Sequence, residues 1–169
     1  MDRSRFIRKS IVLGSLAAIA PITIMAHNRS NYEDLFDNEV INEFVSAAHK
    51  SLDDTRKIIE AKPLLLNCAS QIAKGDFETA MGGASHMGRR DIVDLLISKG
   101  ARMDIFSYAF LGYDDFIRKQ ITEHPSLLNS PGPHGFTLLH HAEVGDREEL
   151  AEWLRSKGLT QTIFKGIFG

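Results

Sequence analysis

Residues 79–100 read TAMGGASHMGRRDIVDLLISKG, and residues 137–158 read TLLHHAEVGDREELAEWLRSKG. An offset of 58 aligns them without a gap, with identities at Thr79/Thr137, Ala84/Ala142, Arg89/Arg147, Leu96/Leu154, Ser98/Ser156, Lys99/Lys157 and Gly100/Gly158. A second offset, 62, lays Ala47–Asn67 on Ala109–Asn129 with nine identities in 21 positions, among them Pro63/Pro125, Leu65/Leu127, Leu66/Leu128 and Asn67/Asn129. Two kinds of unit therefore alternate, each about 30 residues long. Recurrence at that period marks supersecondary units that bury their apolar stripes only by stacking.

Each unit reads as two short helices. In residues 79–100 the first spans Glu78–Met87, Gly88 breaks it, and Arg89–Lys99 carries Ile92, Val93, Leu95 and Leu96 on one side. Gly100 stands where a helix end favours a left-handed residue. Gly82-Gly83 inside the first helix allows close packing of a neighbour and is no phosphate cradle. In the other kind of unit, Asn38–Lys50 pairs with Leu52–Ala61 and Phe106–Gly112 with Asp114–His124. Pro63 and Pro125 stop those second helices. The loop Cys68–Asp76 is longer than the frame requires. The charged face Lys50, Asp53, Asp54, Arg56, Lys57 and Glu60 suits an end cap. The tail 160–169 offers Ile163, Phe164, Ile167 and Phe168, of which at least two are expected to cover the last pair; a partner-binding tail is the alternative.

The openings Thr79-Ala80-Met81-Gly82-Gly83-Ala84 and Thr137-Leu138-Leu139-His140-His141-Ala142 resemble the ankyrin opening T-P-L-H-x-A. The ending Leu95-Leu96-Ile97-Ser98-Lys99-Gly100-Ala101 is similar to the ankyrin close, and the Pro-Leu-Leu-Asn endings to a divergent ankyrin form. Neither opening has Pro after its Thr, and only the second has the motif His. The resemblance covers Asn38–Leu159. It implies an all-α, ankyrin-type repeat solenoid of about four stacked helix-turn-helix units, at about 38–67, 77–104, 105–129 and 136–159. It also implies a structural His140, whose ring would hydrogen-bond a neighbouring turn.

Ahead of this domain stands MDRSRFIRKSIVLGSLAAIAPITIMA. Residues 1–26 carry a net charge of +3, followed by an apolar run from Ile11 to Ala26. A cationic start and a short apolar run predict a bacterial export signal, with residues 27–37 as linker. Arg3–Arg8 is similar to a twin-arginine signal in which Ser4 replaces the second Arg, so the general secretory route stays open. Cleavage after Ala26 and retention as a signal anchor are both open. The expected location is periplasmic or secreted, with an inner-membrane anchor as the alternative and any membrane contact made through this segment alone.

The whole chain has 169 residues, 43% hydrophobic and 25% charged, with net charge −2. Those proportions suit one globular domain and exclude wholesale disorder. Residues 27–169 alone carry −5, which argues against nucleic acid and favours a basic protein partner. The single cysteine, Cys68, excludes an internal disulfide. Nothing adjacent in sequence activates it, and it reads as a packing thiol.

No catalytic residue, metal ligand or cofactor is assigned from sequence. His140-His141 are adjacent, which points their rings about 100° apart and suits a ligand pair poorly. The expected function is a non-enzymatic protein-binding scaffold. Its candidate contact residues are Phe77, Glu78, Ser85, His86, Arg89, Arg90, Asp104, Phe106, Tyr108 and His134, drawn from the finger turns, the exposed face of the first helices and the polar stretch 85–90. Asp76 and Phe136 share that face. Phe77, Phe106 and Phe136 could equally pack between fingers. Two alternatives remain: a small metal-dependent hydrolase using His134, His140 and His141, with Glu143, and a membrane-tethered accessory subunit.

Overall fold

The computed structural model describes residues 37–168. The expected signal or anchor at 1–26 and nearly all of the linker lie outside them. Among the described residues no helix is long and apolar enough to cross a membrane.

The described chain is mostly helical. Its helices are α1 (Asn38–Ala48), α2 (Leu52–Ala61), α3 (Ala80–His86), α4 (Arg90–Ser98), α5 (Ile105–Leu111), α6 (Asp114–Glu123), α7 (Leu138–Val144) and α8 (Glu148–Ser156). Between α2 and α3 lies an antiparallel hairpin, β1 (Ala69–Ala73) and β2 (Asp76–Thr79). Short 3-10 turns occupy Pro63–Asn67, Pro125–Asn129 and Pro133–Gly135. The prolines supply a fixed φ at positions where the missing N–H costs nothing.

Local chemistry explains the ends. The first helix of every pair begins at a side-chain cap: Asp37, Thr79, Asp104 and Thr137 each accept from a backbone N–H of the first turn. Each such cap is worth about 1 kcal/mol. The offset of 58 carries into the backbone. Gly88 (φ +68°) and Asp146 (φ +56°) are both left-handed, as are Gly100 (φ +89°) and Gly158 (φ +102°). Arg89 and Arg147 each donate a backbone N–H back to an alanine carbonyl, Ala84 and Ala142, at 2.8 Å.

The first helices pack in order, α1 on α3, α3 on α5 and α5 on α7. One core joins Phe44, Val45, Ile59, Leu65, Met81, Ile92, Leu96 and Phe110. A second joins Phe106, Ile117, Leu138, Leu139, Leu150 and Leu154. Helix α5 links them, since Phe110 belongs to the first and Phe106 to the second.

Two expectations change, and one contact is added. Glu78 does not open a helix: β2 runs through Thr79, whose hydroxyl caps α3, so the helix starts at Ala80. The long loop Cys68–Asp76 is a hairpin whose turn, Lys74-Gly75, uses a left-handed glycine (φ +83°). Ser70 Oγ donates to Asn42 Oδ1 and ties β1 to α1. Finally, α3 touches α7 as well as α5. In a simple linear stack a unit meets only its neighbours. Here alternate units also meet, His140 Nε2 of α7 donating to His86 O of α3 at 2.8 Å. The tail lies back along the segment before α7: Thr137 N–H donates to Thr162 O at 3.0 Å, and Phe164 N–H to Gly135 O at 2.8 Å. Phe164 packs on the second core while Ile167 stays exposed.

Candidate functional site

The chemistry of the molecule concentrates where the hairpin, α1, α3 and the Pro133–Gly135 turn meet. Alternation along β2 turns Asp76 and Glu78 inward and Phe77 outward. Glu78 is 1% exposed and Asp76 3%, whereas Phe77 is 58% exposed. The C-terminal turns of α1 and α3 bring His49 and His86 to the same carboxylate. His134 arrives from the 3-10 turn on a left-handed backbone (φ +57°). Such a conformation costs a non-glycine residue about 1 kcal/mol or more, and surrounding contacts must hold it. Asp76 does so, accepting the His134 N–H at 3.1 Å.

The side chains converge closely. His86 Nε2 is 2.8 Å from Glu78 Oε1 and 3.2 Å from His49 Nε2. Glu78 Oε2 lies 3.2 Å from His49 Nε2 and 3.3 Å from His134 Nε2. Neither nitrogen is aligned to donate to it, and Oε2 is a buried acceptor without a hydrogen-bond partner. On the far side of the rings, His49 Nδ1 is 2.8 Å from Val45 O, and His134 Nδ1 is 3.3 Å from Asp76 Oδ2. A carbonyl only accepts, so His49 Nδ1 carries the proton and its Nε2 is a lone pair whenever the ring is neutral. His86 Nδ1 is buried without a partner. Phe136 stacks on the rings of His86 (4.9 Å) and His140 (4.1 Å).

Burial by itself would raise the Glu78 carboxyl, but the nearness of His49 and His86 outweighs it and brings the pKa down to about 2. The same carboxylate raises the pKa of His49 against the cost of burying its charge. A cleft of about 420 Å³ lined by Asn42, Ser70, Gln71, His49, Glu78 and His134 opens onto the group.

The residues named from sequence fall into different places. Glu78, Ser85 and His86 are buried, not exposed as a contact surface: β-alternation turns Glu78 inward, and α3 is enclosed on every side. Phe106 is also buried and packs in the second core. Asp104 is exposed but serves α5, its Oδ1 accepting from Ser107 N–H and Oγ, both at 2.8 Å. Arg89 pairs with Asp91 at 2.6 Å and Arg90 with Asp94 at 2.8 Å. Tyr108 is half-buried, its ring 4.8 Å from that of Phe116. Phe77 is free to meet solvent. His134 keeps a partly exposed edge, with 31% of its side chain open.

The grouping of His134 with His140 and His141 is not what the fold makes. His140 Nε2 donates to His86 O at 2.8 Å, a bridge to a neighbouring turn. His141 is fully buried, with Nδ1 donating to Thr137 O at 2.8 Å. Burial pushes its pKa down to about 4. Cys68 donates weakly to Leu64 O at 3.7 Å, and burial raises its pKa.

Sequence reading missed His49, Asp76 and Glu78 as members of one cluster. A usable signal was Gly83. Its partner at the offset of 58 is His141, and a Cβ on Gly83 would stand 2.6 Å from His49 Cε1. The glycine vacates the space that the ring of His49 occupies. No family model matches the chain, and no curated protein matches it in sequence.

Proposed function

We propose that the protein is a non-enzymatic, ankyrin-type binding scaffold, exported to the cell envelope, whose ligand is another protein. The observation that carries this reading is the ordered packing of α1, α3, α5 and α7, each first in its pair, combined with a backbone that repeats its left-handed positions at the same offset. A stack of this kind leaves turn tips projecting along one edge, where repeat proteins bind. Phe77 stands at that edge beside a cleft of about 250 Å³ lined by Asp104, Pro131, Pro133 and Phe168. Exposed aromatics are favoured anchors of interfaces, and Phe77 offers one here. The net charge of −5 over residues 27–169 favours a basic partner.

The test is a pull-down from the envelope fraction with the full chain as bait, repeated with Phe77→Asp. The expected outcome is a protein held by the first bait and lost from the second. Identical recovery from both baits removes Phe77 from the interface, and recovery of nothing above background removes the scaffold reading.

A further inference from the structure

We propose that His49, Glu78, His86 and His134 form a binding site for one divalent transition-metal cation, zinc being the ion that the donor set suits best. Four side chains from four separate segments place one candidate donor atom each within 4.8 Å of one another. Zinc bonds of about 2.0–2.1 Å in a tetrahedron put neighbouring donors about 3.3–3.4 Å apart. Three of the separations are already close to that: 3.2 Å for His49 Nε2 to Glu78 Oε2, 3.2 Å for His49 Nε2 to His86 Nε2, and 3.3 Å for His134 Nε2 to Glu78 Oε2.

The outer contacts agree for two of the three imidazoles, the Nδ1 of His86 being buried without a partner. Metal-bound imidazoles hold their second nitrogen against a carbonyl or a carboxylate. His49 does so with Val45 O, and His134 faces Asp76 Oδ2. The inner atoms satisfy one another only in part: His86 Nε2 pairs with Glu78 Oε1 at 2.8 Å, but the other carboxylate oxygen is left over. Glu78 Oε2 is buried and without a hydrogen-bond partner, although two imidazole nitrogens stand beside it. A cation between them supplies the missing partner. Its double charge also balances the two buried carboxylates, Asp76 and Glu78. Three nitrogens and one oxygen suit zinc, whereas magnesium and calcium call for six or more oxygens. The cleft beside His49 and His134 offers a way in. Four protein donors leave no open position, so the ion would brace the hairpin, α1, α3 and the Pro133–Gly135 turn against one another.

The experiment uses the full chain, stripped with chelator and titrated with zinc and, separately, cobalt(II). Expected are one equivalent of zinc per chain, the intense visible bands of tetrahedral cobalt, and a Tm rise of about 10 °C at a hundredfold excess over Kd. His134→Ala lies on a partly exposed turn and should keep the far-ultraviolet circular dichroism of the parent while losing the cobalt bands. Gly83→Ala, whose Cβ displaces the His49 ring, should do the same. Asp76→Asn should weaken zinc binding roughly 10–100-fold. His124→Ala, at an exposed position, should change nothing. Absence of saturable one-to-one binding overturns the proposal. So does binding that survives unchanged in folded His134→Ala and Gly83→Ala, or that is lost in His124→Ala.

Discussion

The junction of α1 with α3 and that of α5 with α7 occupy the same frame and are chemically opposite. The offset of 58 places Glu78 on Phe136, Gly83 on His141 and His86 on Val144, and the offset of 62 places His49 on Leu111. At the equivalent positions the later junction has an aromatic, two aliphatic residues and one histidine, where the earlier one has a buried carboxylate, two histidines and a glycine. The helical frame is common to both, so the frame does not require the polar group. A buried ionic cluster is weak evidence for stability, because taking the charges out of water offsets most of their attraction. Its presence in only one of two equivalent places points to a role that the shared helical frame does not itself need, in keeping with a bound cation.

The largest expected effect breaks the polar junction. Glu78→Ala leaves His49 and His86 without their carboxylate and should lower unfolding stability by about 4 kcal/mol. Urea denaturation of the metal-free chain measures it. A loss below about 1 kcal/mol would mean that water reaches the cluster and that the contrast between the junctions is superficial.

Next comes acidity, where the two junctions should respond with opposite sign. His141 has a folded pKa of about 4 against an unfolded value near 6.5. Between those values the unfolded chain binds the extra proton, so stability falls as pH drops from 6.5 to 4 and changes no further from this source below 4. The shift corresponds to about 3 kcal/mol. His141→Gln should flatten that slope in denaturation series taken across the interval. His49 is raised, so its contribution is complete below pH 6.5 and is lost as pH rises through its folded value. In the metal-free chain, His49→Gln should remove a decline on the alkaline side and leave the acid limb in place.

A smaller effect separates the two helix caps. Thr79 Oγ1 only receives the Gly82 N–H, at 3.1 Å, whereas Thr137 Oγ1 receives the His140 N–H and also donates to Gln161 O at 2.7 Å. Thr79→Ala should cost about 1 kcal/mol and Thr137→Ala about 2 kcal/mol. Equal costs would show that the tail contributes nothing at this contact. The smallest effect is Arg90→Ala, an exposed ion pair, which thermal melts should place within about 0.5 kcal/mol of the parent.

Much of the fold was legible because its causes are local. Thr79 and Thr137 announce their helices by hydroxyl capping, Gly100 and Gly158 end theirs by adopting a left-handed turn, and the spacing of Ile92, Val93, Leu95 and Leu96 marks a buried face. The errors arose where a tertiary contact overrode such a cue. Glu78 looked like the first residue of a helix, but pairing with Ser70 made it a strand residue, and the period of two buried it. His86 looked solvated because its neighbours are polar and small, whereas α1, Phe136 and Glu78 close around it.

The order of residues alone determined that short capped helices would recur at two offsets with apolar faces needing neighbours, since capping, turn chemistry and periodicity act within a few positions. Only the tertiary structure decided that His49, Glu78, His86 and His134, whose ends stand 85 positions apart, share one small volume. That meeting depends on how far a glycine lets two helices approach and on one histidine held in a left-handed backbone. Both are set by contacts between distant segments, and neither leaves a mark in the pattern of any single segment.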